Sequence, residues 1–294
     1  MNYQTLIKLV NTLANDDGEN FIAASSNIQE KIFNLPRESI LPLVKEIGTI
    51  PEFIPHDSTA EKLYAKAADI VLARCFQLLG LRTTVNRERA NTADVTGKSD
   101  IHPYSFVADA KVFRLSRTAK NQKDFKVKSM ADWRGDHDYS ILVCQYYQYP
   151  KTRSQIYGQA LDGNICLIGW EHLAYLLENK MYESTKRNLA YVWNLSAELS
   201  QRTIHAQRNE DGNFIVQGNA LIDLFLGLPE GEIEKYIGSQ KTGLVQRGKS
   251  EITYWKNIKK GIASYSREKA ISELLSALKI DEKIIQITKF ISSL

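Results

Sequence analysis

A short apolar segment, residues 104–112, carries an acidic and a basic residue two positions apart and alternates in the way that is typical of a β-strand. Because successive side chains of a strand point to opposite faces, Asp109 and Lys111 project from the same face. Two charges in an otherwise apolar strand lose hydration energy unless they pair with each other or bind an ion. The segment therefore predicts either an exposed edge strand with a surface ion pair or a strand that holds charged groups in a pocket.

A second carboxylate precedes this strand. Ala93, Asp94 and Val95 predict the end of another short strand, and the turn containing Gly97 that follows brings Asp94 near Asp109. Two carboxylates beside one lysine form an oxygen-lined site that suits Mg²⁺, which proteins usually hold with one or two carboxylates. The lysine then orients or deprotonates an attacking water. Asp94, Asp109 and Lys111 are therefore the predicted catalytic residues, with Asp94 and Asp109 as metal ligands and Mg²⁺ as the cofactor.

The order of these residues resembles the signature of the PD-(D/E)XK nuclease fold, in which an Asp is followed after a variable gap by Asp or Glu, any residue and Lys. Ala93 stands where that pattern has proline. Proline binds no metal in this scheme, so the difference affects the pattern more than the mechanism. The resemblance implies an α/β fold, a restriction-endonuclease-like core with a mixed central sheet flanked by helices. We also expect the Ala110 carbonyl to be a further metal ligand.

Longer segments resemble the HindIII family of type II restriction endonucleases. They are VADAK followed by FRLSRTAKNQKDFKVK, and the stretches at residues 58–81, 149–164 and 170–177. Together they cover the middle half of the chain, and the last ninety or so residues resemble the family only loosely. The resemblance implies a homodimeric enzyme that cuts double-stranded DNA at AAGCTT, leaves four-base 5′ overhangs and is paired with a cognate DNA methyltransferase.

The segment after the strand is basic and rich in amides. Between Arg114 and Lys128 there are six basic residues against one acidic residue, although the whole chain has a net charge of only +4. Arginine or lysine can read guanine, and asparagine or glutamine can read adenine. We therefore expect DNA contacts from Arg117, Asn121, Gln122 and Lys123. The alternative is that these residues contact only phosphates, which positions a protein on DNA without specificity.

Three further acids are candidate accessory residues. Glu61 forms a predicted capping box with Ser58, and it is also a possible acid from the first core helix. Glu88 lies on the loop before Asp94, where it is a possible additional metal ligand. Asp124 repeats the Asp-x-Lys order on a predicted helix, where residues two apart cannot share a pocket. It either accepts hydrogen bonds at the helix N-terminus, or fixes a recognition residue, or is a solvated acid of the first helical turn.

The order of elements predicts three regions. Residues 1–57 are predicted to form an N-terminal helical segment, residues 58–180 the nuclease core, and residues 181–294 a mainly helical C-terminal region that either is separate or packs on the core. Strands are expected at about 93–97, 104–113, 139–146 and 165–168, with helices at about 122–133 and 153–161.

Composition and motif spacing argue against several classes of protein. The three cysteines are isolated in apolar runs, which predicts buried thiols in a reducing compartment. There is no apolar run of the roughly 20 residues that a membrane-spanning helix requires, and the polar N-terminus has no secretory signal. We therefore expect a cytoplasmic protein that does not bind membranes. Residues 96–99 resemble the end of a phosphate-binding loop, but Thr92 stands where that motif requires glycine.

Two other functions remain open at this stage. One is a structure-selective or repair DNA nuclease of the same fold. The other is a non-catalytic DNA-binding regulator in which the nuclease site is vestigial. Incubation of plasmid with protein and Mg²⁺ distinguishes the three functions. A restriction endonuclease gives discrete bands, a structure-selective or repair nuclease gives scattered nicks, and a DNA-binding regulator does not cut.

Overall fold

The structure, a computed structural model, describes residues 1–16, 18, 20–86, 92–117, 122–202 and 213–292. Three helices come first: α1 (Tyr3–Ala14), α2 (Phe21–Phe33) and α3 (Arg37–Glu46). The side chains of Asn2 and Asn20 accept hydrogen bonds from backbone N–H groups in the first turns of α1 and α2, so these helices begin at capped ends. Their apolar faces bury residues such as Leu6 and Ile28.

The central helix α4 (Thr59–Leu78) is buried along most of its length. The Glu61 backbone N–H donates to Ser58 Oγ at 3.1 Å, and the Glu61 side chain accepts from the Asp57 N–H at 2.7 Å. This is close to the predicted capping box. Gly80 then ends the helix with a φ of +90°, a conformation that glycine adopts without strain. Helix α4 contacts α1, α2 and α3 as well as strands β1, β2 and β3, which are defined below, so it links the N-terminal helices to the sheet.

The sheet has five strands in the order β1-β2-β3-β4-β5. They are β1 (Arg82–Val85), β2 (Val95–Lys98), β3 (Ser105–Lys111), β4 (Tyr139–Cys144) and β5 (Ile165–Gly169). The first three strands pair antiparallel, whereas β3, β4 and β5 pair parallel. This mixed sheet between helices confirms the predicted fold class. Gly97 lies opposite Phe106, and a Cβ at that position would collide with the Phe106 ring, so the glycine has a packing role.

Helices connect the parallel strands. α5 (Gln122–Phe125) and α6 (Val127–Arg134) lie between β3 and β4, and α7 (Gln155–Gly163) lies between β4 and β5. The prediction of one continuous helix over 122–133 was wrong, because Lys126 between α5 and α6 has a φ of +53° and interrupts it. Beyond β5 the described residues are mainly helical, as predicted. The remaining helices are α8 (Trp170–Glu178), α9 (Ala190–Trp193), α10 (Leu195–Arg202), α11 (Asn213–Leu226), α12 (Glu232–Ala263), α13 (Arg267–Ala277) and α14 (Ile280–Ser292).

The chain divides into two compact units, Met1–Val245 and Gln246–Leu294. The first contains the sheet and a continuous hydrophobic core that includes the N-terminal helices. The domain boundaries expected near residues 57 and 180 stay predictions. Among the described helices, none combines the length and the apolar character that crossing a membrane requires.

Candidate active site

Strand register brings two carboxylates to one point. Val95 at the start of β2 lies opposite Ala108 of β3, so Asp94 and Asp109 are the next residues outward on the two strands. Asp109 is buried, and Asp94 is partly exposed. The expected proximity of Asp94 to Asp109 is therefore observed, although β2 begins one residue after Asp94.

Helix α4 supplies a third carboxylate. Asp69, Asp94 and Asp109 each offer a carboxylate oxygen, and these oxygens lie within 4.8 Å of one another. Asp69 is held in place by the Ala110 backbone N–H, which donates to Asp69 Oδ1 at 3.3 Å. An arrangement of three converging carboxylates suits a hard divalent cation, which prefers oxygen ligands.

Two lysines balance these charges. Lys111 Nζ forms an ion pair with Asp109 Oδ2, as strand alternation predicted for two residues on one face. Lys66, one turn before Asp69 on α4, donates to Asp94 Oδ1 at 3.3 Å and to the Asn86 carbonyl oxygen at 2.9 Å. The two lysine side chains are only 8% and 13% exposed for Lys66 and Lys111, so both charges are largely removed from solvent.

Burial and mutual repulsion shift the protonation of this cluster. Burial raises the pKa of the Asp69 carboxyl well above its ordinary value, and Asp94 and Asp109 raise it further. Burial likewise raises the pKa of Asp109 against the opposing effect of Lys111. Burial alone would lower the pKa of Lys111, but Asp109, Asp69 and Asp94 together outweigh burial and the net shift of the Lys111 pKa is upward. The site concentrates negative charge that a bound cation would stabilise.

The accessory acids lie in different places. Glu61 is not among the three converging carboxylates, because it caps α4 and forms an ion pair with Arg114. Its Oε2 lies 3.9 Å from His56 Nδ1. Glu88 lies outside the described residues. Asp124 lies on the short helix α5 and pairs with Arg117, which places it beside a predicted recognition residue.

The predicted DNA-binding residues are only partly described. The Arg117 guanidinium pairs with Asp124 and lies 5.2 Å from the centre of the Phe113 ring. Lys123 on α5 is exposed. Asn121 and the side chain of Gln122 lie outside the described part of the chain.

Sequence reasoning missed Lys66 and Asp69. Their signal was a charged pair three positions apart in a helical stretch otherwise rich in Ala, Ile, Val and Leu. On a helix that spacing places two side chains on one face. A helix that is apolar on nearly all sides is usually buried, so the pair was a candidate for a buried polar site.

Comparison with known proteins gives the family. The family model for the HindIII restriction endonuclease matches residues 4–291. The type II restriction enzyme HindIII of Haemophilus influenzae is 39% identical to this chain over 295 residues, which covers all of this chain and 97% of that protein. The chain therefore belongs to the HindIII restriction endonuclease family, and it is a type II site-specific deoxyribonuclease.

Proposed function

We propose that this enzyme hydrolyses both strands of double-stranded DNA at a short palindrome in a Mg²⁺-dependent reaction. The observation that carries the proposal is the convergence of Asp69, Asp94 and Asp109 beside Lys111. This combination provides what phosphodiester hydrolysis needs: a place for a divalent cation and a cationic donor next to it.

The donor set fits the cation. Asp94 and Asp109 would hold Mg²⁺, with the Ala110 carbonyl as a further ligand, and Asp69 is a third carboxylate within reach of the same position. When bound, Mg²⁺ stabilises negative charge on the phosphate oxygens and lowers the pKa of a bound water.

The remaining chemistry belongs to side chains of the enzyme. The Lys111 ammonium donates a hydrogen bond that orients the attacking water in line with the leaving oxygen, and its charge stabilises the phosphorane-like transition state. Lys66 holds Asp94 through its contact with Oδ1, and the Ala110 N–H holds Asp69. These two contacts fix the directions of the carboxylates before substrate arrives.

We further propose that recognition involves Gln122 and Lys123 of α5, together with Arg117 and Asn121, which precede α5 in the sequence. The pairing of Arg117 with Asp124 supports a role for Asp124 in orienting that arginine. Membership of the HindIII family supports AAGCTT as the site and a four-base 5′ overhang as the product. Two chains related by a two-fold axis would match the symmetry of such a site, each chain cutting one strand.

The cellular setting follows from the activity. An enzyme that cuts DNA at a short site endangers the DNA of its own cell, so we propose that it acts in the cytoplasm together with a methyltransferase that modifies the same site. The three cysteines are buried thiols that form no disulfide, which agrees with a reducing compartment.

Digestion of plasmid and sequencing of the cut ends test the proposal. Discrete fragments that appear only with Mg²⁺ and whose ends fall within AAGCTT are expected. Discrete fragments with other ends would show that the enzyme recognises a site other than AAGCTT. Scattered nicks would indicate a nuclease without sequence specificity.

A further inference from the structure

The connection between α3 and α4, residues 47–58, carries a buried carboxylate outside the candidate active site. Glu52 is only 6% exposed, and both of its oxygens accept from one distant residue. Oε1 accepts from the Ser116 backbone N–H at 2.9 Å, and Oε2 accepts from Ser116 Oγ at 2.8 Å. Taking a carboxylate out of water costs free energy that hydrogen bonds to the charged group offset. Ser116 is itself exposed, so the contact joins a buried acid to a surface turn.

Ser116 lies in a turn that leads into the proposed DNA-binding residues. In residues 114–117, here called the recognition turn, the Arg117 N–H donates to the Arg114 carbonyl oxygen at 3.3 Å. The turn begins three residues after Lys111 and ends at Arg117. Its direction therefore decides where Arg117 lies relative to the end of β3, which carries Asp109 and Lys111.

Two further contacts tie the same stretch to the same connection. The Ile50 N–H donates to the Phe113 carbonyl oxygen at 3.2 Å, and Arg114 Nη2 donates to the Ile54 carbonyl oxygen at 2.7 Å. Arg114 also forms an ion pair with Glu61 at the start of α4. Ile50 and Ile54 are buried, so the connection that holds the recognition turn is packed into the core.

The segment after the recognition turn returns to the same place. Arg117 pairs with Asp124 of α5, and the next residue, Phe125, is fully buried. The Phe125 ring centre lies 5.3 Å from that of Phe113 and 5.6 Å from that of Tyr149. The proposed DNA-binding residues therefore belong to a segment that is held at its start by Glu52 and at its end by Phe125.

We propose that Glu52 is a positioning residue for sequence specificity. By holding Ser116, it fixes the recognition turn so that Arg117 and the residues after it contact the bases of the site while Lys111 faces the phosphate to be cut. The inference rests on the proposed function, in which these residues read DNA. Hydrogen bonds to base edges depend on direction and distance, so a turn that shifts loses discrimination between sites.

A stabilising role alone would give a different result. Loss of folded protein lowers the apparent affinity for every duplex by the same factor, which cancels in the ratio of cognate to mismatch affinity. A shift of the recognition turn changes that ratio, because only the cognate complex depends on well-placed base contacts. The ratio therefore separates a positioning role of Glu52 from a contribution to stability.

Binding titrations of the full chain in metal-free buffer test the inference, with a duplex containing AAGCTT and duplexes with one base pair changed. Glu52→Gln keeps the size of the side chain but removes its charge and one acceptor oxygen. We expect it to lower the ratio of cognate to mismatch affinity by about 10-fold or more. Ser116→Ala keeps the backbone donor and should lower the ratio by a smaller factor.

The double variant shows whether Glu52 acts through Ser116. Both substitutions remove parts of one contact, so the combined effect of Glu52→Gln with Ser116→Ala should be smaller than the product of the two single effects. A combined effect equal to that product would contradict a role of Glu52 through Ser116.

The matched control is Glu183→Gln. Glu183 is 5% exposed, and its Oε2 accepts from the Leu189 backbone N–H at 2.8 Å, so it is also a buried carboxylate that holds a backbone donor. It lies between α8 and α9, away in sequence from the recognition turn. We expect Glu183→Gln to keep the wild-type ratio. A wild-type ratio in Glu52→Gln, or an equal fall in both variants, would overturn the inference.

The result is separable from that for DNA cutting. A wild-type chain that cuts plasmid at discrete sites, together with a Glu52→Gln variant that discriminates as well as wild type, would leave the proposed function and remove this inference. A chain that prefers AAGCTT but cuts no DNA, and whose preference is lost in Glu52→Gln, would keep this inference and remove the proposed function.

Discussion

At the scale of single residues, the candidate site depends on contacts that fix the direction of each carboxylate. Asp109 is fixed by Lys111 on its own strand, Asp69 by the Ala110 N–H, and Asp94 by Lys66 from α4. Groups that orient metal ligands typically change metal affinity or activity by about 10–100-fold when they are removed. We therefore propose Lys66 as a positioning residue, a role that can be tested separately from that of the proposed ligands.

We predict that Lys66→Met raises the Mg²⁺ concentration needed for half-maximal cleavage by about 10-fold or more. Methionine keeps an aliphatic side chain but removes the ammonium that holds Asp94 and the Asn86 carbonyl. The measurement is the initial rate of plasmid cleavage over a range of Mg²⁺ concentrations, with DNA binding in metal-free buffer as the control. A variant with the wild-type Mg²⁺ requirement would show that Lys66 does not position Asp94.

The sequence was enough to predict that Asp109 and Lys111 lie on the same face of their strand, because side chains alternate with a period of two residues. The short connection between β2 and β3 was enough to predict that Asp94 lies near Asp109. Asp69 was not found, because an acid within a helix is ordinarily assigned to its solvated face. Only the packing of α4 against the sheet reveals that Asp69 is 5% exposed.

At the scale of elements, the carboxyl ends of β4 and β5 are joined to α8 and α11 by a buried polar network. The Gly169 N–H donates to His172 Nδ1 at 2.8 Å, so Nε2 carries the proton and donates to Asn219 Oδ1 at 2.9 Å. Asn219 in turn donates to the Tyr146 hydroxyl at 2.9 Å. Beside it, Glu171 accepts from Gln145 Nε2 at 2.8 Å. The network holds the segment after β4 next to the first residues of α8.

We predict that His172→Gln destabilises the protein most at neutral pH, with a deficit that shrinks on acidification. Burial lowers the pKa of His172 to about 4. Below about pH 6.5, His172 therefore binds a proton in the unfolded chain but stays neutral in the folded protein. The stability contributed by neutral His172 is lost as pH falls from about 6.5 to about 4. The difference in unfolding free energy between variant and wild type should narrow by up to about 1.4 kcal/mol per pH unit in this window.

Urea denaturation of both proteins at several pH values in metal-free buffer gives this difference. Comparison with wild type is needed because Glu171 acts in the opposite sense: burial raises its pKa to about 7, so its protonation stabilises the folded protein as pH falls from about 7 to about 4.5. A deficit that is constant from pH 7 to pH 4 would contradict a buried, neutral His172.

Strands and helices could be predicted where their burial requires a recognisable pattern of apolar residues. Strands β3, β4 and β5 are almost wholly buried and read as apolar runs. Strand β1 was missed because none of its four residues is buried, so no apolar alternation marks it. The break between α5 and α6 was missed because the positive φ at Lys126 belongs to a residue type that carries no turn signal.

At the scale of the whole molecule, binding to DNA combines phosphate contacts with base contacts. The dependence of DNA affinity on salt concentration distinguishes the two kinds of contact, because only the phosphate contacts release counterions. Lys123→Ala removes a positive charge, so we predict that it reduces the slope of log affinity against log salt concentration by about one unit. It should weaken binding to cognate and to one-mismatch duplexes alike. Asn121→Ala removes no charge and should lower discrimination by about 1 to 3 kcal/mol with the slope unchanged.

Binding titrations of both variants at several salt concentrations distinguish these roles. If Asn121→Ala leaves the ratio of cognate to mismatch affinity unchanged, Asn121 does not read a base, and recognition would rest on Arg117 or Gln122.

We propose that the carboxylates around Lys111 form the centre that cuts DNA. Cleavage of plasmid in the presence of Mg²⁺ by Asp109→Asn, with Asp124→Asn as the matched control, tests it most directly, because both changes remove one charge from an Asp-x-Lys sequence. We predict that Asp109→Asn abolishes cleavage but retains specific DNA binding, whereas Asp124→Asn keeps measurable turnover. Retained Mg²⁺-dependent cleavage by Asp109→Asn, or an Asp124→Asn variant that is equally inactive, would contradict the account.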